Sequence, residues 1–176
     1  DFASTMDYIL PNQVAKIFVE LGGTGPVLDV GAGTGLAGQA LSKLGINPID
    51  ALDLSGAMLE VALEKKIYRN FFTSDITQPI VTNNCSYQGI ISSGTFTHGH
   101  VGPNAIDNLI TVAEDGAFFA LSINKNHWIE KGFAKKFESL NGVIEKLLLH
   151  NVNIYGKNSK GEHCNDIGIV ATFWKA

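Results

Sequence analysis

Short apolar runs alternate along the chain with stretches in which apolar residues recur every third or fourth position. Val14, Ile17, Phe18 and Leu21 follow Pro11 at helical spacing until Gly22, Gly23 and Gly25 end the pattern, which predicts a first helix. The run Val27, Leu28, Asp29, Val30 then predicts a strand. A glycine loop follows it, and Leu36, Ala37, Ala40, Leu41 and Leu44 predict a helix that stops at Gly45. The unit repeats with Ile49, Asp50, Ala51 and Leu52 closing on Asp53, and Ser55 is a candidate N-cap for a helix carrying Met58, Leu59, Val61, Ala62 and Leu63. Residues 68–73 are aromatic and β-prone, and residues 87–92 hold the apolar core Gly89, Ile90, Ile91 expected of a buried parallel strand. Pro103 opens a helix through Ile106, Leu109, Ile110 and Val112, after which Asp115 and Gly116 turn the chain into a strand over 117–123. In the tail, 143–154 and 167–174 are β-like runs flanking a polar stretch, which predicts an antiparallel pair. The strand and helix alternation ahead of it calls for a mostly parallel sheet with helices on both faces.

Length and composition narrow this picture. A chain of 176 residues fits a single domain over 1–176, and 45% hydrophobic with 17% charged residues is ordinary for a soluble protein. No segment approaches the roughly 18 uninterrupted apolar residues of a membrane span. The net charge of −4 is dispersed, so nothing marks a partner among nucleic acids or anionic lipids. The one basic cluster, Lys131 with Lys135 and Lys136, reads as the wet face of a helix. Cys85 and Cys164 form neither a CxxC pair nor a disulfide framework, which favours a reducing cytoplasm as the location. The sequence opens at Asp1 without an initiator methionine, so the original N-terminus is expected to have been cleaved, trimmed or left out.

The strongest chemical signal is the strand 27–30 emptying into Gly31, Ala32, Gly33, Thr34, Gly35 ahead of a helix. Without Cβ atoms the backbone can turn sharply and touch a ligand, and the helix that follows is expected to add unpaired N–H groups. The second signal is Asp53 at the end of the next strand, about 20 residues past the loop, where a carboxylate can accept from both hydroxyls of a ribose. Leu54 and Met58 accompany it.

These residues resemble the first motif of class I S-adenosylmethionine-dependent methyltransferases, an acid followed by GxGxG, here Asp29 with Gly31, Gly33 and Gly35. The resemblance covers almost the whole chain. It implies a three-layer α/β/α Rossmann-like fold with a mixed seven-stranded sheet in the order 3-2-1-4-5-7-6 and strand 7 antiparallel. That order also suits five strand-helix units followed by a C-terminal pair. It implies S-adenosylmethionine as cofactor, S-adenosylhomocysteine as product, a loop packed on the methionine part and Asp53 on the ribose. Asp75, beside Ile76, matches the acid that faces adenine after the third strand. Ser92, Ser93 and Gly94 match the motif after the fourth strand, and His98 stands where small-molecule methyltransferases often carry a histidine, the candidate general base. The resemblance departs at Gln88, where many relatives carry an acid. The stretch from Gly94 to Gly102 is similar to the Williams-Beuren syndrome region methyltransferase-like subgroup.

Two rivals remain open at this point. One is a non-catalytic S-adenosylmethionine-binding module that regulates a partner. The other is an NAD-dependent oxidoreductase, since Gly33, Gly35 and Gly38 also spell GxGxxG, although Asp29 lies where the dinucleotide fingerprint prefers apolar residues. His98 with His100, and His163 with Cys164 and Asp166, lack a full metal-ligand spacing, so no metal is expected. Trp128, Phe133 and Phe137 read as core, and the acceptor as an unidentified small molecule. Tyr8, just ahead of Pro11, is placed over the methionine end of the cofactor as part of a closing N-terminal segment whose preceding residues are mobile. Oligomeric state is left open.

Overall fold

The computed structural model describes residues 7–83, 86–97, 101–157, 159 and 166–176. The first apolar period folds as helix α1 (Leu10–Glu20), which buries Leu10, Val14, Ala15 and Phe18 and leaves Lys16 and Glu20 in water. Strand β1 (Val27–Val30), helix α2 (Leu36–Lys43), strand β2 (Ile49–Asp53), helix α3 (Gly56–Leu63) and strand β3 (Phe71–Thr73) follow. Ser55 caps α3 as expected, its hydroxyl accepting from the Met58 amide at 3.3 Å. Beyond them lie β4 (Tyr87–Phe96), α4 (Ala105–Thr111), β5 (Ala113–Asn124), α5 (Lys125–Lys131), α6 (Phe133–Ser139), β6 (Ile144–Asn153) and β7 (Ile167–Lys175).

The strands form one sheet in the order β3-β2-β1-β4-β5-β7-β6, parallel from β3 to β5, with β7 antiparallel to both β5 and β6. The expected topology and its single reversed strand are borne out. Side chains alternate across the pleat, so Val27 turns toward α1 and α2 while Leu28 and Val30 turn toward α4 and α6. That alternation sends Asp29 to the α2 side, fully buried. Trp128 stacks on Phe133 at 5.8 Å and on Phe137 at 5.4 Å; the two phenylalanines are buried in the core, as expected, and Trp128 packs partly buried against it.

Several boundaries differ from the sequence expectations. Strand β3 starts at Phe71, because Tyr68 leaves the strand line to pack against the glycine loop. Strand β4 runs on to Phe96, so Ser92, Ser93 and Gly94 are strand residues and not a loop after the strand. Asp115 and Gly116 form a bulge inside β5, where the register to β4 shifts between Tyr87 and Gly89, with Gly116 at φ 76°. Of the basic cluster, Lys131 and Lys135 are exposed, whereas Lys136 folds back onto Asp107. In α3 only Leu59 and Ala62 are buried, since the helix covers the sheet near its edge and leaves Met58, Val61 and Leu63 exposed. No described helix is long and apolar enough to cross a membrane.

Candidate functional site

From β1 the chain runs outward to β2 and β3 and then crosses to β4 on the other side, so the loops at the carboxyl ends of β1 and β4 diverge. A cleft opens where they part. It holds a cavity of about 400 Å³ walled by Gly31, Asp53, Leu54 and Ser55 on one side, Ser74, Asp75 and Ile76 on a second, and Gly94, Thr95 and Val101 on the third.

Two glycines of the loop are required for different reasons. Gly31, at φ 66°, lies directly beneath Thr95, and a Cβ there would collide with the threonine hydroxyl. That hydroxyl donates to Val30 O at 3.1 Å, beside Ser92 Oγ at 2.9 Å, and together they tie β4 to the end of β1. Gly33, at φ 54°, has open space where its Cβ would point. Its conformation, not a protein contact, calls for glycine, and it lines neither cavity.

The amides of Gly31, Ala32, Gly33 and Gly35 are already engaged. Those of Gly31 and Ala32 donate to Leu52 O at 2.7 and 3.0 Å, and that of Gly35 donates to Ala32 O at 2.8 Å. The Gly33 amide donates to Asp53 Oδ2 at 2.8 Å and the Gly38 amide to Asp29 Oδ2 at 2.9 Å. The expectation of unpaired amides facing a ligand at the head of α2 therefore does not hold for Gly33 and Gly38. A dinucleotide pyrophosphate sits on such amides. Here carboxylates occupy two of them, and their charge would repel a pyrophosphate.

Asp53 also accepts from the Ser55 amide through Oδ1 at 2.8 Å. A carboxylate offers about four lone-pair sites, so each oxygen keeps acceptor capacity toward the cavity. Asp75 takes both the amide and the hydroxyl of Thr77 on Oδ1, at 2.9 and 2.7 Å, and these bonds hold its carboxyl below the usual carboxylate range. It therefore heads a turn and lines the cavity at once. Asp29 lies beneath the loop and not in the cavity, accepting from Tyr68 Oη at 2.6 Å and Gly38 N. Burial raises its carboxyl to about 6 against the opposing effect of those two donors.

A second cavity, of about 340 Å³, adjoins the first on the β5 side and shares Gly94 with it. Gly94 takes φ 84°, and a Cβ there would sit 2.7 Å from the Tyr8 hydroxyl. Ser93, Phe96 and Thr97 continue the wall from β4, Ser122 and Asn124 come from β5, and Tyr155 and Asp166 stand at the ends of β6 and β7. Tyr8 is joined to Tyr155 by an isolated antiparallel bridge, and burial raises its phenol pKa.

The fold thus gathers Gly31, Asp53, Leu54, Asp75, Ile76 and Gly94 around one cavity and Tyr8, Ser93 and Gly94 around the next. Ala32 packs beside Leu59, Ser92 is buried on Val30 O, and Thr34, Gly35 and Met58 line neither cavity. His98, the candidate base, lies outside the described residues, as do His100, His163, Cys85 and Cys164. Among the described residues no group of His, Cys, Asp and Glu side chains stands ready to hold a metal. Tyr68, Thr95, Tyr155 and Asp166 are the participants that motif reading did not single out as site residues.

Residues 27–116 match the family described as methyltransferase domain. No curated protein matches the chain in sequence. Among solved structures, the chain is similar to a putative S-adenosyl-L-methionine-dependent methyltransferase from Methanococcus maripaludis, at 19% identity and a TM-score of 0.67 over 99% of this chain and 89% of that one. It is also similar to a TehB-like SAM-dependent methyltransferase from Corynebacterium glutamicum, at 19% identity and TM-score 0.67 over 99% and 92% of the two chains. The N-methyltransferase NodS from Bradyrhizobium japonicum, in complex with S-adenosyl-L-homocysteine, gives 12% identity and TM-score 0.67 over 94% and 85%. Those likenesses concern the fold, while the match over 27–116 runs from the start of β1 through both carboxylate-bearing strands to the bulge of β5. The chain belongs to the methyltransferase domain family, and the class I, S-adenosylmethionine-dependent resemblance drawn from its glycine loop is borne out.

Proposed function

We propose that the protein transfers a methyl group from S-adenosylmethionine to a small-molecule acceptor, with the cofactor in the cavity beside Asp53 and the acceptor in the cavity beside Tyr8. The observation that carries this reading is the shared wall at Gly94, where two cavities meet at a residue with no side chain. The cofactor when bound supplies a methyl carbon on a positively charged sulfonium. Asp53 is the ribose ligand, with two oxygens already oriented by the Gly33 and Ser55 amides. Asp75 and Ile76 form the adenine end, and Gly31 and Gly33 admit the amino-acid tail close to the backbone. Ala32, Thr34, Gly35 and Asp29 act through the loop they shape. Leu54 lines the adenosine side, whereas Met58 lines neither cavity.

Displacement at a sulfonium is mainly a matter of aiming the nucleophile in line, so apposition of two sites can supply several kcal/mol of the barrier. His98 is assigned as the base for acceptors that must lose a proton. We assign the reaction to the cytoplasm on the cysteine pattern. The test is calorimetry with S-adenosylmethionine, S-adenosylhomocysteine and NAD, followed by transfer of labelled methyl to a panel of small acceptors. Binding of both adenosyl compounds with label transfer is expected. Tighter binding of NAD would overturn the reading, and cofactor binding with no transfer to any acceptor would turn it toward a regulatory module.

A further inference from the structure

Behind the first cavity the fold buries a histidine completely. His127 stands in the first turn of α5, has no exposed surface and lines neither cavity. Three contacts fix it. Its amide donates to Asn124 Oδ1 at 3.3 Å, its ring lies 5.6 Å from that of Phe133 at 52°, and its Nε2 lies 2.8 Å from Val101 O. A carbonyl oxygen only accepts, so Nε2 carries the proton. Nδ1 is then a bare acceptor, buried and without a partner among the described residues.

Stability alone does not account for such a residue. A buried imidazole gives up hydration at both nitrogens and here recovers a bond at one, so an aliphatic side chain would fill the space beside Phe133 at less cost. What an aliphatic side chain lacks is the donor to Val101 O. That carbonyl belongs to a residue of the third wall of the first cavity. Val101 is only partly buried, and it packs against the cluster that includes Ile76, Phe96 and Phe133. Phe96, the last residue of β4, meets the Phe133 ring edge-on at 5.9 Å. Phe133 and His127 thus hold the chain leaving β4 at two points, the strand end by ring contact and Val101 by a hydrogen bond. Asn124, whose Oδ1 caps α5, lines the second cavity, so the helix begins on a wall of one site and holds a wall of the other.

Building on the methyl-transfer reading, which puts S-adenosylmethionine in the first cavity, we propose that His127 is a positioning residue for the cofactor. Its Nε2–H holds Val101 where the cavity fits an adenosyl ligand, and the ring itself does not touch that ligand. Released from the bond, Val101 O turns to water and the wall samples several positions. The ligand must then select one of them on binding, which lowers its affinity.

The test compares His127→Gln, His127→Asn and His127→Leu in the full chain. The amide nitrogen of a glutamine can take the place of Nε2, that of an asparagine only the place of Nδ1, and a leucine donates nothing. Calorimetry reads the affinity for S-adenosylhomocysteine, thermal denaturation reads stability, and hydrogen exchange over residues 101–106 without ligand reads the wall itself. His127→Leu is expected to keep the thermal midpoint of the unsubstituted protein and to bind about three- to tenfold more weakly, the worth of one neutral hydrogen bond. His127→Asn should bind as weakly and also be less stable, while His127→Gln should bind within about twofold of the unsubstituted protein. Exchange over 101–106 should quicken in His127→Leu and His127→Asn but not in His127→Gln. A purely structural role predicts instead that affinity follows the thermal midpoint through the series, and that result overturns the inference. Equal affinity of His127→Gln and His127→Asn overturns it too, and this pair decides if His127→Leu does not fold. Binding by the unsubstituted protein with no difference among the variants defeats the inference alone. Failure of the unsubstituted protein to bind either adenosyl compound defeats the methyl-transfer reading and this inference with it.

Discussion

Asp29 and Tyr68 are joined by a 2.6 Å hydrogen bond beneath the glycine loop, although 39 residues separate them in sequence. The phenol fills the space in front of Gly38, where any Cβ would collide with it, and its ring edge lies 3.0 Å from the Cβ position of Gly35. Loop, helix and buried acid are thus locked by one side chain. Tyr68→Phe should cost about 1–3 kcal/mol of stability, since it leaves a buried carboxylate short of a donor, and chemical denaturation would measure it.

The same carboxylate predicts a pH dependence. Its folded pKa of about 6 lies above the ordinary value of 3.8, so between those limits the folded state holds more protons than the unfolded one. Stability attributable to Asp29 therefore falls as pH rises from about 4 to about 6. Asp50 has the opposite sign: burial alone would raise its carboxyl, but Arg69, Tyr87 and Asn70 together outweigh it and hold the carboxyl below the ordinary value, so the stability it gives is lost as pH falls. Asp29→Asn should flatten the first slope and leave the second. Denaturation midpoints taken across pH 4 to 7 decide it, and identical slopes in the two proteins would remove Asp29 from the account.

Asp53→Ala should weaken S-adenosylhomocysteine binding by about 1.5–3 kcal/mol, the range for charge-assisted hydrogen bonds. Part of that loss would come through the loop, because the substitution also frees the Gly33 amide that Asp53 holds. Asp53→Asn retains acceptor oxygen and should recover some affinity in calorimetry. Unchanged affinity in both variants would reduce Asp53 to a turn residue.

Periodicity made the sheet legible because buried parallel strands and amphipathic helices leave opposite signatures, and each of β1, β2, β4, β5, β6 and β7 carried one. Strand β3 did so poorly: Tyr68 has the composition of a strand residue but spends its side chain on Asp29, a partner no local pattern names. Asp53 and Gly31 were legible since their chemistry sits in a fixed spacing after β1. Tyr155 and Asp166 were not, because they reach the site only through topology. With β7 reversed, the turn between β6 and β7 falls at the same edge as the carboxyl ends of β4 and β5. Asp29 was read correctly as a motif residue, but its burial toward α2 follows from strand parity and not from the motif.

Gly31 and Gly33 of the loop should separate stability from binding. Gly31→Ala combines a left-handed backbone, costing roughly 1–2 kcal/mol, with a collision at Thr95 that would break its bond to Val30 O. Gly33→Ala meets no protein atom, so its stability loss should stay near the backbone cost alone, while its methyl enters open space that the proposed function assigns to the amino-acid tail of the cofactor. Thermal denaturation and calorimetry together check the order: Gly31→Ala less stable, Gly33→Ala weaker in binding relative to its stability. The reverse ranking would mean that the free space above Gly33 is not part of the site.

Tyr8 offers the last test, because it lines the second cavity and reaches the glycine both cavities share without belonging to the loop. The segment around it is fastened to the end of β6: Ile9 and Leu10 amides donate to Ile154 O at 3.1 and 3.2 Å, and the Gly156 amide donates to Asp7 O at 2.8 Å. Its hydroxyl nevertheless reaches Gly94, at the partition between the cavities. A residue so placed can close on a ligand from the side of the second cavity while its backbone stays pinned, which is a narrower motion than the hinged segment expected from sequence. The mobility expected ahead of it concerns residues 1–6, outside the described part of the chain. Tyr8→Ala should raise the S-adenosylhomocysteine dissociation constant by roughly two- to tenfold, the loss of one neutral contact, and should increase proteolysis near Pro11. Hydrogen exchange of residues 7–11 should slow when S-adenosylhomocysteine is added to the unsubstituted protein and not to the variant. Equal protection with and without the ligand would leave Tyr8 as a wall of the acceptor cavity that takes no part in holding the cofactor.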